Sequence, residues 1–344
     1  MARLTGAGGA LSVHRHPSVW SYEIQVGGFG NGEFDWTTAD ADNVYVDKNG
    51  LRIVPTLTNE TTTITNSQLL HGYTLNLTTA GTCTGETIKA CGIRSNSTKG
   101  TMINPVRSAR ISTRGKKGIR YGKVEVEAKL PAGDWIWPAI WMLPQDNVYG
   151  IWPASGEIDI MESRGNNYDF PQGGVDYFSS ALHWGPYAHT DSYLLTSGST
   201  TIRRTDFSKG FYKFGLVWTE DYIVTYLGNR IHQVMYIKFG EEGFWERGDF
   251  VKVNATLDAN PWRNAKSKAA PFDQEFYLLL NVAVGSTNGY FKDIPAKPWV
   301  DGSGTEMRDF WAGVDEWYPT WGPVEERGMT VRSVKMWQQG KCKR

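Results

Sequence analysis

GKVEVEAKL, residues 122–130, alternates without a break. Val124, Val126 and Ala128 fall on one side of an extended chain, and Lys123, Glu125, Glu127 and Lys129 on the other, because successive strand side chains point to opposite faces. One face belongs against a core and the other in water. Segments of the same kind recur: LRIVPTL (51–57), ARISTRG (109–115), GEIDIMES (156–163), DYFSSALHW (176–184), KFGLVWT (213–219), YIVTYLG (222–228), EFYLLLNVAVG (275–285) and MTVRSVKMWQ (329–338). Gly, Asn and Pro separate them. Many short strands with turn signals between them predict an all-β protein, a sandwich or a barrel. WTEDYIVTYLGNR reads as a hairpin turning near Glu220–Asp221. Helical periodicity is scarce, with at most one turn expected around 244–250.

No repeat, low-complexity tract or linker interrupts the 344 residues, so residues 1–344 are expected to form a single domain. Residues 1–15, with the Gly-rich GAGGA at 6–10, are expected to be a loose terminus.

The formal net charge is zero, which argues against a nucleic-acid or membrane-surface partner, since both call for a basic face. No run approaches the roughly 18 apolar residues of a membrane span. The 15 Trp exceed what packing alone asks for and suit a neutral ligand with apolar faces. The first twenty residues lack the apolar core of a signal peptide. Extracellular location is nevertheless expected from two features. Cys83 and Cys91 are close enough for a short-loop disulfide that leaves Cys342 free; three unpaired thiols are the alternative. Sequons stand at Asn59, Asn76, Asn96 and Asn254.

The segment GEIDIMESRGN (156–166) threads Glu157, Asp159 and Glu162 through Ile158, Ile160 and Met161. Glu157 and Asp159 share a face, with Ile158 and Ile160 on the other. Glu162, five residues from Glu157, has the wrong parity in a regular strand. A β-bulge at Ile160–Met161 restores it, and bulges recur beside active sites because they re-aim side chains. The alternative buries a carboxylate without a partner. Three acids on one face suit glycoside hydrolysis, which uses one carboxylate as nucleophile or base and a protonated one as acid. Crowded like charges push pKa values apart and so allow different roles. A calcium or magnesium site normally adds carbonyl or Asn ligands from a tight loop, whereas this is a strand. A solvated acidic face fits the stretch alone equally well.

The surroundings favour chemistry. GDWIWPAIWMLPQ (133–145) places Trp135, Trp137 and Trp141 at even spacing, suited to lining one face and stacking on sugar rings, with core packing as the alternative for Trp141. ALHWGPYAH (181–189) sets His183 at a strand end. GFGNGEFDW (28–36), with Asn31, lacks the strand-then-helix context of a phosphate loop.

Together these blocks resemble glycoside hydrolase family 16. GEIDIME resembles its E-x-D-x-x-E signature, and WPAIWMLP, ALHWGP and FYLLLNVAVGS its flanking blocks, in the right order from Trp20 to Gln338. The extra residue in the signature is the form of laminarinase-like members, agarases and carrageenases; bacterial lichenases lack it. The whole looks most like eukaryotic endo-1,3-β-glucanases and the related β-glucan recognition proteins. The resemblance implies a β-jelly-roll sandwich of two antiparallel sheets with a concave glycan cleft, and a retaining double displacement. It makes Glu157 the nucleophile, Asp159 its assistant and Glu162 the acid/base. Trp137 and Trp141 would border the cleft near the cleavage point, His183 would sit beside the catalytic strand, and Asn31 would lie toward the non-reducing side. Asp35 and Trp36 depart from the family's Gln and Tyr. The stretch DEWYPTWGPVEERGMTVRSVKMWQ (315–338) would end in the family's last strand, and its Trp residues are candidates for further sugar contact.

The expected function is an endo-acting retaining hydrolase of β-1,3-glucan, with mixed 1,3/1,4-glucan as a second substrate. A non-catalytic glucan-recognition protein is the main alternative, and a galactanase or a transglycosylase are others. The expected partner is a β-glucan polysaccharide or oligosaccharide, and the expected state a monomer. No cofactor is required; a structural calcium on the outer sheet is left open.

Overall fold

The computed structural model describes residues 10–11, 17–240, 242–252 and 259–340. Most of the proposed loose terminus, the Asn254 sequon and Cys342 lie outside the described residues.

Two eight-stranded antiparallel sheets pack face to face as a jelly-roll sandwich. Seven strands build the path of the sheet that carries the acids: β1 (Ser21–Tyr22), β2 (Arg110–Ser112), β3 (Ile136–Pro144), β4 (Glu157–Ser163), β5 (Tyr177–His183), β6 (Ser197–Thr201) and β7 (Phe276–Val284). They lie in the order β6-β5-β4-β3-β7-β2-β1, and Gly118–Ile119 also pairs with β7. The opposite sheet contains Gly122–Lys129 between Tyr212–Trp218 and Met329–Gln338.

The alternation of 122–129 holds. Val124, Val126 and Ala128 are fully buried, while the charged positions between them are half-buried. Tyr212–Trp218 and Tyr222–Leu227 form the expected hairpin, closed by the Thr219 N–H on the Tyr222 carbonyl at 2.9 Å. β7 is buried at all nine positions and is apolar at every one but Asn281. Its inner face meets the core, and its outer face lies under the side chains of the cleft. The helical turn near residue 244 is present as Phe244–Arg247. Cys83 and Cys91 are joined in a disulfide.

One region is helical although helical periodicity is scarce in the sequence. Glu306–Ala312, Val314–Trp317, Tyr318–Trp321 and Val324–Arg327 are short helical turns. They bury Trp311, Trp317 and Trp321, with Trp317 stacked on Phe310 at 4.4 Å. Their indoles are core, not sugar contacts. The Trp317 N–H donates to the Phe310 carbonyl and that of Trp321 to the Asp134 carbonyl.

Candidate active site

A cleft of about 1670 Å³ crosses the strands of the acid-bearing sheet. Its floor runs from Ser197 and Ser199 on β6, through Ser179, Ala181 and His183 on β5 and Glu157 and Glu162 on β4. It continues through Trp137 and Trp141 on β3 to Arg110 on β2. That volume exceeds the few hundred to about 1,000 Å³ of a single-ligand pocket, so an oligomeric ligand fits it better.

The bulge lies where the alternation breaks. Met161 pairs with Ile140 and Asp159 with Trp141, so Ile160 is the extra residue between them. On the other edge the register jumps from Asp159↔Ala181 to Glu162↔Ser179. Ile158, Ile160 and Met161 are all buried in the core. Each such side chain stabilises the fold by about 1.5–3 kcal/mol, and the bulge keeps these contributions without turning Glu162 into the apolar core. The Ile160 carbonyl, which loses its ladder partner at the bulge, accepts the Ser180 hydroxyl at 2.7 Å. Gly156, at φ +83, opens the strand; a Cβ there would press on Phe272 and Pro271.

The three acids have different neighbours. Glu157 accepts the Trp152 indole N–H at 2.9 Å. Glu162 accepts the Trp137 indole N–H at 3.0 Å. Asp159, buried between them, faces His183 Nε2 at 3.1 Å, and His183 Nδ1 lies 2.5 Å from Asp191. Small residues stand across from the acids: Ala181 opposite Asp159, and Ala139 and Ser179 opposite Glu162. Ala139 and Ser179 leave the Glu162 carboxylate open to the cleft, whereas Asp159, which also has Trp141 opposite it, stays buried.

Burial raises Glu157 well above the ordinary glutamate range; nearby Asp159 adds to this, while His183 opposes it. Burial and then Asp159 push Glu162 up to about 7, against His183 and the Trp137 N–H. Burial works against a charged His183, but the carboxylates of Asp159 and Asp191 outweigh it and hold the imidazole protonated well above its usual range. Glu157, Asp159 and His183 offer donor atoms within 4.8 Å of one another, a spacing that would suit a metal ion. Both ring nitrogens of His183 already face carboxylates, so the imidazolium fills the place of a cation.

The structure brings Trp137, Trp141, His183 and Asn31 to the cleft. Trp135 is not among them. Its φ of +67, just ahead of β3, turns the side chain into the core, where it packs edge-on against Phe170, Phe291 and Trp299. The even spacing of the three Trp holds only inside a strand, and β3 starts at Ile136. Asn31 donates to Glu33 at 2.9 Å and accepts from Asn288 at 3.1 Å. Gly32 permits this approach of two loops, since a Cβ there would meet Thr287 Oγ1.

Sequence reasoning missed Trp152, Asp191, Arg110, Arg164 and Tyr290. Trp152 had a signal, a Trp-Pro pair in a turn five residues before Glu157. Arg110 lies between the rings of Phe29 (4.0 Å) and Trp141 (4.5 Å) and pairs with Glu23 at 2.7 Å. The others come from loops placed by distant packing.

Comparison with known proteins agrees with this geometry. The sequence model of the glycosyl hydrolases family 16 matches residues 31–271. A β-1,3-glucan-binding protein of Penaeus monodon is 40% identical over 330 residues, covering 93% of this chain and 86% of its own. A glucan endo-1,3-β-glucosidase A1 of Niallia circulans is 35% identical over 56% of this chain and a quarter (25%) of its own length. The laminarinase of Rhodothermus marinus superposes with a TM-score of 0.55 over 99% of this chain and 97% of its own, at 23% identity, a likeness of fold.

Proposed function

Because the chain belongs to glycoside hydrolase family 16, we propose that it is a retaining endo-β-1,3-glucanase, with mixed 1,3/1,4-glucan as a second substrate. The observation that carries this reading is the set of three acids on one cleft face, each with a different partner. Glu157, ionised beside the Trp152 N–H and the His183 cation, attacks the anomeric carbon. Glu162 gives its proton to the glycosidic oxygen, which leaves with the bonding electron pair. Water then enters, loses a proton to Glu162 and displaces Glu157. Asp159, held by His183 at 3.1 Å, stands beside the nucleophile and helps to orient it. Trp141, Arg110 and Asn31 grip the chain on the non-reducing side. We place the protein outside the cell as a monomer, in keeping with the Cys83–Cys91 disulfide. No helix among the described residues is long and apolar enough to cross a membrane.

A second reading, glucan recognition without turnover, is favoured by the Penaeus monodon relative's name. The retained acids favour the enzyme. Release of reducing ends from laminarin, with mixed-linkage glucan, agarose and carrageenan in parallel, separates the two. Laminarin cleavage lost in Glu157→Gln is the expected result; laminarin bound but uncleaved by the wild type points to recognition.

A further inference from the structure

Tyr290 lies on the loop after β7, beyond the segment that the family model matches. Its ring stacks on Trp137 with centroids 3.8 Å apart and planes 9° from parallel, the closest ring pair among the described residues. The guanidinium of Arg164 lies 4.0 Å from the ring centroid of Tyr290. The same guanidinium donates twice to the Tyr290 carbonyl, at 3.1 and 2.8 Å, and Gln172 donates once more at 3.1 Å. The Tyr290 hydroxyl donates to the Ser163 carbonyl at 3.0 Å, one residue past Glu162. The loop itself is pinned by the buried Lys297, whose ammonium contacts Asp293, Asp301 and the Phe291 carbonyl at 2.6–2.8 Å. Simple packing does not call for this many constraints on one residue, its ring, hydroxyl and carbonyl all engaged. Nor does it explain why the face-to-face partner is the indole bonded to Glu162.

We propose that Tyr290 is a positioning residue for the acid/base: clamped by Arg164, it holds the Trp137 indole N–H on Glu162 Oε1 and so assigns the transferable proton to Oε2. This rests on the hydrolase reading for its purpose, but the placement is testable without turnover. The charged or titratable groups facing Glu162 are Glu157 and Asp159 from its own strand, His183 from β5, Arg164 after β4 and Tyr290 itself. A carboxylate held this way has one oxygen committed and one free, which is the preorganisation an acid catalyst needs.

The test uses 15N-Trp-labelled protein, with the Trp137 indole resonance assigned through Trp137→Phe. In the wild type that resonance moves with pH as Glu162 titrates. Tyr290→Leu removes the movement and Tyr290→Phe keeps it; Tyr290→Met replaces the Leu variant if that one does not fold. An unchanged Trp137 titration in Tyr290→Leu overturns the proposal. In the kinetic arm, Tyr290→Leu lowers kcat/KM on laminari-oligosaccharides about tenfold or more, part of the 10²–10⁴ attributed to general acids. On an aryl glycoside with a good leaving group it falls less than about threefold, since little acid assistance is needed there. Equal losses on both substrates also overturn it. A wild type inert toward both substrates contradicts the hydrolase reading alone, and the titration arm still decides Tyr290.

Discussion

His183 Nε2 stands 3.1 Å from the buried carboxylate of Asp159, and Asp191 holds the opposite ring nitrogen. This puts a fixed cation among three acids and couples a residue outside the carboxylate strand to the protonation of the pair that does the chemistry.

That coupling gives a pH signature. With Glu162 raised to about 7, kcat/KM falls as pH rises through that value and the acid loses its proton. The acidic limb comes from Glu157, which must lose its proton before it can attack, and its raised pKa lifts that limb above the ordinary glutamate range. Asp191→Asn weakens the hold on the imidazolium. A neutral His183 no longer opposes protonation of Glu157, and the acidic limb moves to higher pH. A profile identical to wild type contradicts the coupling.

Glu162 costs stability. Unfolded, a glutamate titrates at 4.5; folded, this one titrates near 7. Between those values the folded state binds more protons, so stability falls as pH rises. The span corresponds to about 3 kcal/mol at 1.36 kcal/mol per unit, and solvent entering from the cleft reduces it to roughly 1–3. Glu162→Gln keeps an acceptor for Trp137 but cannot ionise. Denaturant unfolding should show it about 1–3 kcal/mol more stable than wild type at pH 8, with the gain gone below pH 4.5. Equal stability at pH 8 contradicts the raised pKa.

Deleting Met161 removes the two-against-one count that Ile160 creates. The shortened strand must either turn Glu162 toward the core or lose a buried apolar residue. A loss of about 10²-fold or more in kcat/KM is expected from the displaced acid. A folded deletion variant with wild-type activity removes the argument for the bulge.

Trp141 is stacked with Arg110 and donates to Asn281 at 2.7 Å. It neither gives nor takes a proton in the proposed chemistry, so it contributes to binding substrate and transition state alike. Trp141→Ala should raise KM by about tenfold, in line with 0.5–1.5 kcal/mol for ring contacts, with kcat within a few-fold of wild type. A fall in kcat at constant KM would place it at the reacting centre instead.

The acids and the bulge were legible in the sequence because strand parity is local: a carboxylate at the wrong parity next to Met161 leaves few solutions. The sandwich was legible for the same reason at Val124, Val126 and Ala128. Trp135 was misplaced because nothing in GDWIW announces a positive φ one residue before the strand begins. The Trp-rich 315–323 segment has helical turns too short to show a period. Tyr290 and Asp191 were invisible because their meaning depends on where loops land: Tyr290 meets a partner 153 positions away, and Asp191 reaches back over a turn to His183.

The most direct test is to trap the covalent intermediate. The protein is incubated with a laminaribiosyl donor carrying fluorine at C2 and a good leaving group, then digested and analysed by mass spectrometry. The account predicts a single glycosyl adduct on the peptide containing residues 156–163, localised to Glu157 and absent in Glu157→Gln. An adduct on another residue, or laminarin turnover with no adduct at all, would contradict it.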